Sequence, residues 1–257
     1  MKKYYYLIYI QFLGFRYSGW QKQTNSKTVQ EMIDRTFRYF LKHENFKTLA
    51  SGRTDAKVSA NNFTFELFID REYKEDELLS NLNSNLPADI NVLKVIQVNK
   101  EFNIMNDSKT KKYHYYFSNE KFHPFAASLM SYFEHSLDFS LMKEGAKLFE
   151  GQHNFKNYCF KPNDNTNFFR SVDFCELSFN DIHTASFFPN TSYVLKVYGQ
   201  GFMRQQIRIM MGTLINLGEG KISLNDIKES LKNPYPEILG FIAPASGLIL
   251  EDIIFEL

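Results

Sequence analysis

The chain opens on an apolar, tyrosine-rich run from Tyr4 to Leu13 that stops at a glycine, and it reads as a strand. Thr28-Val29-Gln30-Glu31 is a capping-box signal, and Val29, Met32, Ile33, Phe37, Phe40 and Leu41 then recur at helical spacing. Two strand-like runs follow, Phe46 to Leu49 and Asn62 to Ile69, separated by a short polar break. Asp76 to Asn83 reads as a helix ended by Leu86-Pro87, and Ile90 to Val98 as a strand. The order β-α-β-β-α-β is that of a split, ferredoxin-like unit, an antiparallel sheet with helices on one face.

Lys109 to Lys112 interrupt the apolar pattern, and a similar series restarts. It predicts a strand from Lys112 to Phe117, a helix from Leu141 to Phe149, and strands from Ser171 to Phe179 and Ser192 to Tyr198. A helix from Arg204 to Leu217 comes next, then one capped by Ser223, then a closing strand from Leu248 to Phe255. The halves match in element order and not in residues. The reading is α+β: two ferredoxin-like domains, residues 1–107 and 108–257, with an active-site cleft between them. A single domain with insertions is the alternative.

Composition changes this picture little. The 257 residues suffice for a real core, and 44% hydrophobic with 23% charged residues is ordinary for a globular protein. The 26 Phe and 15 Tyr are not ordinary, and most must lie inside. A net charge of +1 means that a polyanionic partner would have to be met by local basic patches. Two cysteines, Cys159 and Cys175, make neither a disulfide framework nor a metal site. The tyrosine-rich start lacks a cleavage signal, and no apolar stretch approaches the roughly 20 residues of a membrane span. The expectation is a cytoplasmic protein with no membrane and no metal.

Three places carry candidate chemistry. The first is the polar break Ala50-Ser51-Gly52-Arg53-Thr54-Asp55-Ala56, which sets a guanidinium and a carboxylate two residues apart on a loop between strands. Such loops combine a rigid base with a reachable tip; the plainer reading is a turn in which Asp55 caps a backbone amide. The second is Arg208, the sole charge between Arg204 and Glu219, in a helix apolar nearly all round. Its guanidinium is expected to lie largely away from water, and it then needs an anionic partner. That partner is either any core acid or a catalytic aspartate. The third is Lys111-Lys112-Tyr113-His114-Tyr115-Tyr116. In a strand, Tyr113 and Tyr115 share one face while Lys112, His114 and Tyr116 share the other. Rings beside lysines suit a base stacked on an aromatic with phosphate nearby, although a half-buried sheet face is the commoner use of such tyrosines.

The Gly-Arg-Thr-Asp-Ala loop resembles the catalytic loop of the TruA-type tRNA pseudouridine synthases. Gly201-Phe202 through Arg208 resembles that family's stretch ending in an arginine that salt-bridges the aspartate, and Lys111 to Tyr115 its basic-x-Tyr-x-Tyr strand. Further likenesses are Tyr17-Ser18-Gly19-Trp20-Gln21, Thr28-Val29-Gln30, Leu86-Pro87-Ala88-Asp89-Ile90, Gly151-Gln152-His153-Asn154-Phe155 and Ala243-Pro244-Ala245-Ser246-Gly247-Leu248. They occur in the family's order along the whole chain. His153, with no second histidine at a ligand or triad spacing, is read as structural.

The resemblance implies conversion of uridine to pseudouridine in the anticodon stem-loop of tRNA, positions 38 to 40, by a homodimer that uses no cofactor. It implies Asp55 as the reacting group, attacking C1′ or deprotonating C2′, with Arg208 as its ion-pair partner. Tyr113 would stack on the target base, its phenol a candidate to take the C5 proton. From the residues themselves, the cations expected to line the path of the RNA are Arg53, Lys57, Lys109, Lys111, Lys112 and Arg204. The chain departs from the pattern at Lys57 and Ser59, where the family usually has glycine and histidine; serine at the second is common in its eukaryotic branch. If the glycine position requires positive φ, Lys57 costs roughly 1 kcal/mol. Met105 stands where an arginine is usual. A non-catalytic RNA-binding protein would not need Asp55, and a glycosidic-bond hydrolase would ordinarily need a second carboxylate.

Overall fold

The computed structural model describes residues 3–255 except 44, 107–108, 122–123, 135, 163–165 and 234–238. The chain divides into two compact units, one of Met1–Lys109 with Leu250–Leu257 and one of Thr110–Ile249. The expected boundary at residue 107 lies outside the described residues.

In the first unit the elements are β1 (Tyr4–Phe12), α1 (Val29–Leu41), β2 (Phe46–Ala50), β3 (Ser59–Ile69), α2 (Glu75–Asn85) and β4 (Ile90–Val98). β1 lies between β4 and β3, antiparallel to both, and β2 pairs with β3. The register sets Tyr6 opposite Leu67, Ile8 opposite Phe65 and Ile10 opposite Phe63, all at most 1% exposed. The helices bury Val29, Ile33, Thr36, Phe37 and Leu41 of α1 and Leu78 and Leu82 of α2. α1 starts where its capping signal predicts: the Thr28 side chain accepts from the Glu31 amide at 3.3 Å. The reciprocal half of the box is replaced by ion pairs, because the Glu31 carboxylate reaches Lys22 at 3.0 Å and Arg38 at 3.6 Å.

The second unit contains β5 (Lys109–Ser118), β6 (Ser131–Tyr132), α3 (Phe139–Lys147), β7 (Gly151–Asn154), β8 (Phe169–Val172), β9 (Phe174–Phe179), β10 (Tyr193–Gly199), α4 (Gln206–Gly218) and α5 (Leu224–Lys232). β10 is antiparallel to β5 and β9, β7 to β8, and the short β5–β6 pairing is parallel. The single strand expected from Ser171 to Phe179 is two strands. Asp173 breaks it: its amide donates to the Tyr198 carbonyl at 2.8 Å and its carboxylate accepts from Ser171 at 3.1 Å, so β8 leaves with β7 while β9 stays with β10. α4 is buried almost all round, as its sequence requires, and α5 carries a complete capping box between Ser223 and Asp226.

The last strand, β11 (Leu248–Phe255), runs beside β3, and from Leu250 onward it belongs to the first unit. Asn61 donates to Glu251 at 2.7 Å, Asn62 to Asp252 at 2.6 Å, and Phe102 packs edge-on against Phe255 at 5.7 Å. The closing strand expected with residues 108–257 is thus divided between the units, most of it in the first. The chain is α+β.

Candidate active site

β2 delivers the backbone at Ala50 and β3 takes it back at Ser59; the eight residues between them hold Arg53 and Asp55. Main-chain bonds and the Ser51 and Ser59 hydroxyls hold their course. Ser51 donates through both its amide and its hydroxyl to the Thr64 carbonyl, at 3.2 and 3.1 Å, and accepts from the Thr64 hydroxyl at 2.9 Å. The Thr54 carbonyl accepts from the Trp20 amide at 3.3 Å, and the Lys57 amide donates to the Tyr17 carbonyl at 3.0 Å. Within the loop, the Val58 amide returns to the Asp55 carbonyl at 3.2 Å. Asp55 is half-buried and Arg53 exposed on this frame.

The segment that grips the loop is residues 14–20. It approaches so closely that two of its residues admit no side chain. A Cβ on Gly14 would lie 1.9 Å from the Val58 carbonyl oxygen, and one on Gly19, at φ +89°, would lie 2.4 Å from that of Thr54. The segment is itself anchored. The Tyr17 hydroxyl donates to Asp89 at 2.7 Å, Arg16 donates to the same oxygen at 2.8 Å and pairs with the other through Nε, and the Leu13 amide donates to the Asp89 carbonyl at 3.0 Å. Burial, reinforced by the Asp89 charge, pushes the Tyr17 hydroxyl up to about 12. Partial burial pushes the Asp89 carboxyl up, but the bonds from Arg16 and Tyr17 outweigh it and hold the group below its usual range. On the other side the Gly19 and Trp20 carbonyls accept from Val29 and Gln30 at 3.1 and 3.0 Å, and the Trp20 ring lies 4.4 Å from that of Phe63.

The remaining predicted site residues lie in the second unit. Lys111, Lys112 and Tyr113 are half-buried on β5, opposite Gly199, Tyr198 and Val197 of β10. The Tyr113 ring meets Phe202 edge-on, centroids 5.4 Å apart and planes at 88°. Lys112 points to the other face, its ammonium 5.4 Å from the Tyr198 ring. Arg208 sits in the first turn of α4 and is half-buried, not buried as its apolar surroundings in sequence suggest. Its neighbours Gln206, Ile207 and Ile209 are buried, so the apolar pattern is right for the turn and only Arg208 itself is left part-open. Its Nε donates to the Ala243 carbonyl at 2.7 Å. Its charge also reaches Tyr115, whose hydroxyl burial pushes far up and which Ser131 and Arg208 partly bring back.

Lys109 is a correction. Its ammonium is buried and donates to the carbonyls of Ile104 and Met105 at 2.7 and 2.9 Å, so it braces its own unit and is not available to line an RNA path. His153 contacts the Glu150 carbonyl at 2.7 Å and packs on Phe155, which is structural work. Among the described residues, no group of three or more His, Cys, Asp or Glu is arranged to hold a metal, and no helix is long and apolar enough to cross a membrane.

Residues 146–256 match the tRNA pseudouridine synthase family. Similar proteins include tRNA pseudouridine synthase A of Oenococcus oeni, 31% identical over 255 residues, which span 98% of each chain. tRNA pseudouridine synthase A 2 of Desulfotalea psychrophila is 31% identical over 96% of this chain and 97% of its own. The chain belongs to the tRNA pseudouridine synthase family. The enzyme of Exiguobacterium sibiricum is 30% identical over 96% of this chain and 94% of its own.

Against that family's pattern the two departures beside Asp55 acquire a physical description. Lys57 has φ +67°, so a side chain occupies a backbone conformation suited to glycine. Ser59 is 3% exposed, and its hydroxyl accepts from the Gly14 amide at 2.9 Å, so the smaller residue closes the contact between loop and grip. Gly14, Phe15, Arg16 and the anchoring role of Asp89 were not singled out from sequence. The signal was there, in the run Gly14-Phe15-Arg16-Tyr17 directly after a strand, but what it packs against is 40 or more residues away.

Proposed function

We propose that the protein isomerises uridine to pseudouridine in the anticodon stem-loop of tRNA, at positions 38 to 40, with Asp55 as the reacting carboxylate. The observation that carries this reading is the loop itself. A family member presents an aspartate, half open to solvent, on eight residues whose backbone is held by Ser51, Thr54, Lys57 and Ser59. Such rigidity suits a group that must meet one atom of one nucleotide. The N-glycosidic bond breaks, the uracil turns, C5 joins C1′, and the C5 proton is lost as N1 regains one. Asp55 either attacks C1′ or removes the C2′ proton. Tyr113 offers the detached uracil a ring, set by Phe202. Arg208 supplies a cation in the first turn of α4, and Arg53, Lys111 and Lys112 take phosphates. Extruding a stacked base costs a few kcal/mol, which the phosphate contacts offset.

We further propose that the protein works as a cytoplasmic homodimer and that its two halves are ferredoxin-like units. The pairing of β4, β1, β3 and β2 supports this for the first. The test is tritium release from C5-labelled uridine in unmodified tRNA, with the product mapped. Wild type is expected to release label from positions 38 to 40, and Asp55→Asn to release none while binding tRNA at least as tightly. Release from other positions would overturn the target assignment, and a catalytically active Asp55→Asn would remove Asp55 from the mechanism.

A further inference from the structure

Lys57 keeps its side chain at φ +67°, two residues past Asp55. Strain of that kind concentrates where a side chain has work to do. The side chain is exposed, and its ammonium stands 5.7 Å from the centre of the Phe15 ring. Phe15 is 42% exposed, whereas Tyr17 and Trp20 just after it are each 2% exposed. The same short segment thus buries two aromatic rings and leaves a third open to water. The two residues come from segments that cannot slide, because Gly14 abuts the Val58 carbonyl and the Lys57 amide is bonded to Tyr17. An open ring with a cation over it, fixed beside a loop that also carries Arg53, matches a nucleotide in both its parts: the ring offers a stacking face and the ammonium a phosphate contact.

We propose that Lys57 and Phe15 form a clamp for the nucleotide flanking the target uridine, Phe15 stacking on its base and Lys57 holding its phosphate. The proposal rests on the uridine-isomerising reading above and adds a specificity contact to it. The target base itself is left to Tyr113.

The test uses the full chain and an unmodified tRNA transcript, titrated by anisotropy at several salt concentrations, beside thermal melts. Lys57→Gly removes the charge and relieves the backbone; Lys57→Asn removes the charge with a residue that tolerates positive φ. Both are expected to weaken tRNA binding about fivefold and to lower the salt slope by roughly one, while Lys57→Gly melts higher than wild type. Phe15→Leu is expected to weaken binding about tenfold with the slope unchanged, since a ring releases no counterions. In turnover, KM should rise more than kcat falls in all three. A lysine variant that keeps wild-type affinity and slope overturns the clamp, as does a Phe15→Leu that binds normally. Because binding is read without turnover, a wild type that binds tRNA but makes no pseudouridine defeats the functional reading alone. Normal turnover with unaffected variants defeats the clamp alone.

Discussion

Gly19 leaves no room for a side chain. An added methyl would meet the Thr54 carbonyl at 2.4 Å and would also have to sit at φ +89°, a backbone conformation that costs roughly 1–2 kcal/mol for any other residue. Gly19→Ala is therefore expected to push the loop off its frame, lowering kcat/KM for pseudouridine formation at least tenfold, with a melting temperature reduced by several degrees. A normal rate would show that the grip does not position Asp55. At Arg208, Lys keeps the charge but loses the Nε donor that reaches Ala243 and the planar fork. Arg208→Lys should be nearly as inactive as Arg208→Ala; near-normal turnover would reduce Arg208 to a structural residue. These single positions were unevenly legible in the sequence. Motif residues could be named because their chemistry is local. Exposure could not: Arg208 lies in an apolar run yet at a helix end, and Lys109 lies in a basic run yet is consumed by two carbonyls.

Elements were easier to read than their partners. Helix α1 and strands β4 and β11 lie where periodicity and capping predict, because those signals sit within the element. What the sequence presented as separate signatures, Tyr17 to Gln21, Thr28 to Gln30 and Leu86 to Ile90, fold into a single brace for the Asp55 loop. No short-range rule reports that. The brace predicts its own weak point: Tyr17→Phe removes a bond to a charged acceptor, at about 1.5–3 kcal/mol. The melting temperature should fall, and kcat should fall more than KM rises. Unchanged turnover would mean that Arg16 alone holds Asp89. Strand β5 makes a second prediction. Burial, together with the charges of Lys196, His183 and Lys112, pushes the His114 imidazole down to about 4, between the hydroxyls of Tyr116 and Tyr198. A histidine depressed on folding contributes stability above its unfolded value, near 6.5, and that contribution is lost as pH falls toward 4. Wild type should lose up to about 3 kcal/mol over that interval from this group. His114→Phe should flatten the profile there; parallel curves for the two proteins would disprove it.

At the scale of the whole molecule, a net charge of +1 gives no overall attraction to RNA, so binding must come from placed cations. Replacing Lys111 and Lys112 together should weaken tRNA binding and flatten its dependence on salt. Lys111 should account for more of the change, since the Lys112 ammonium is drawn to Tyr198 on the opposite face from Tyr113. An unchanged slope would place the RNA elsewhere. The return of β11 was not legible in the sequence, because pairing across about 190 positions leaves no trace in local pattern.

That return has a consequence for how the protein comes into being. On a ribosome the first unit's early strands emerge long before residues 250–255, so the half that carries Asp55 waits, one strand short, while the other half is made. A chain truncated before Leu248 should leave β3 sensitive to protease along Asn61 and Asn62, and the full chain should protect it. The chain thus acquires the Asp55 carboxylate early and the full sheet beside it only after the second unit has been made.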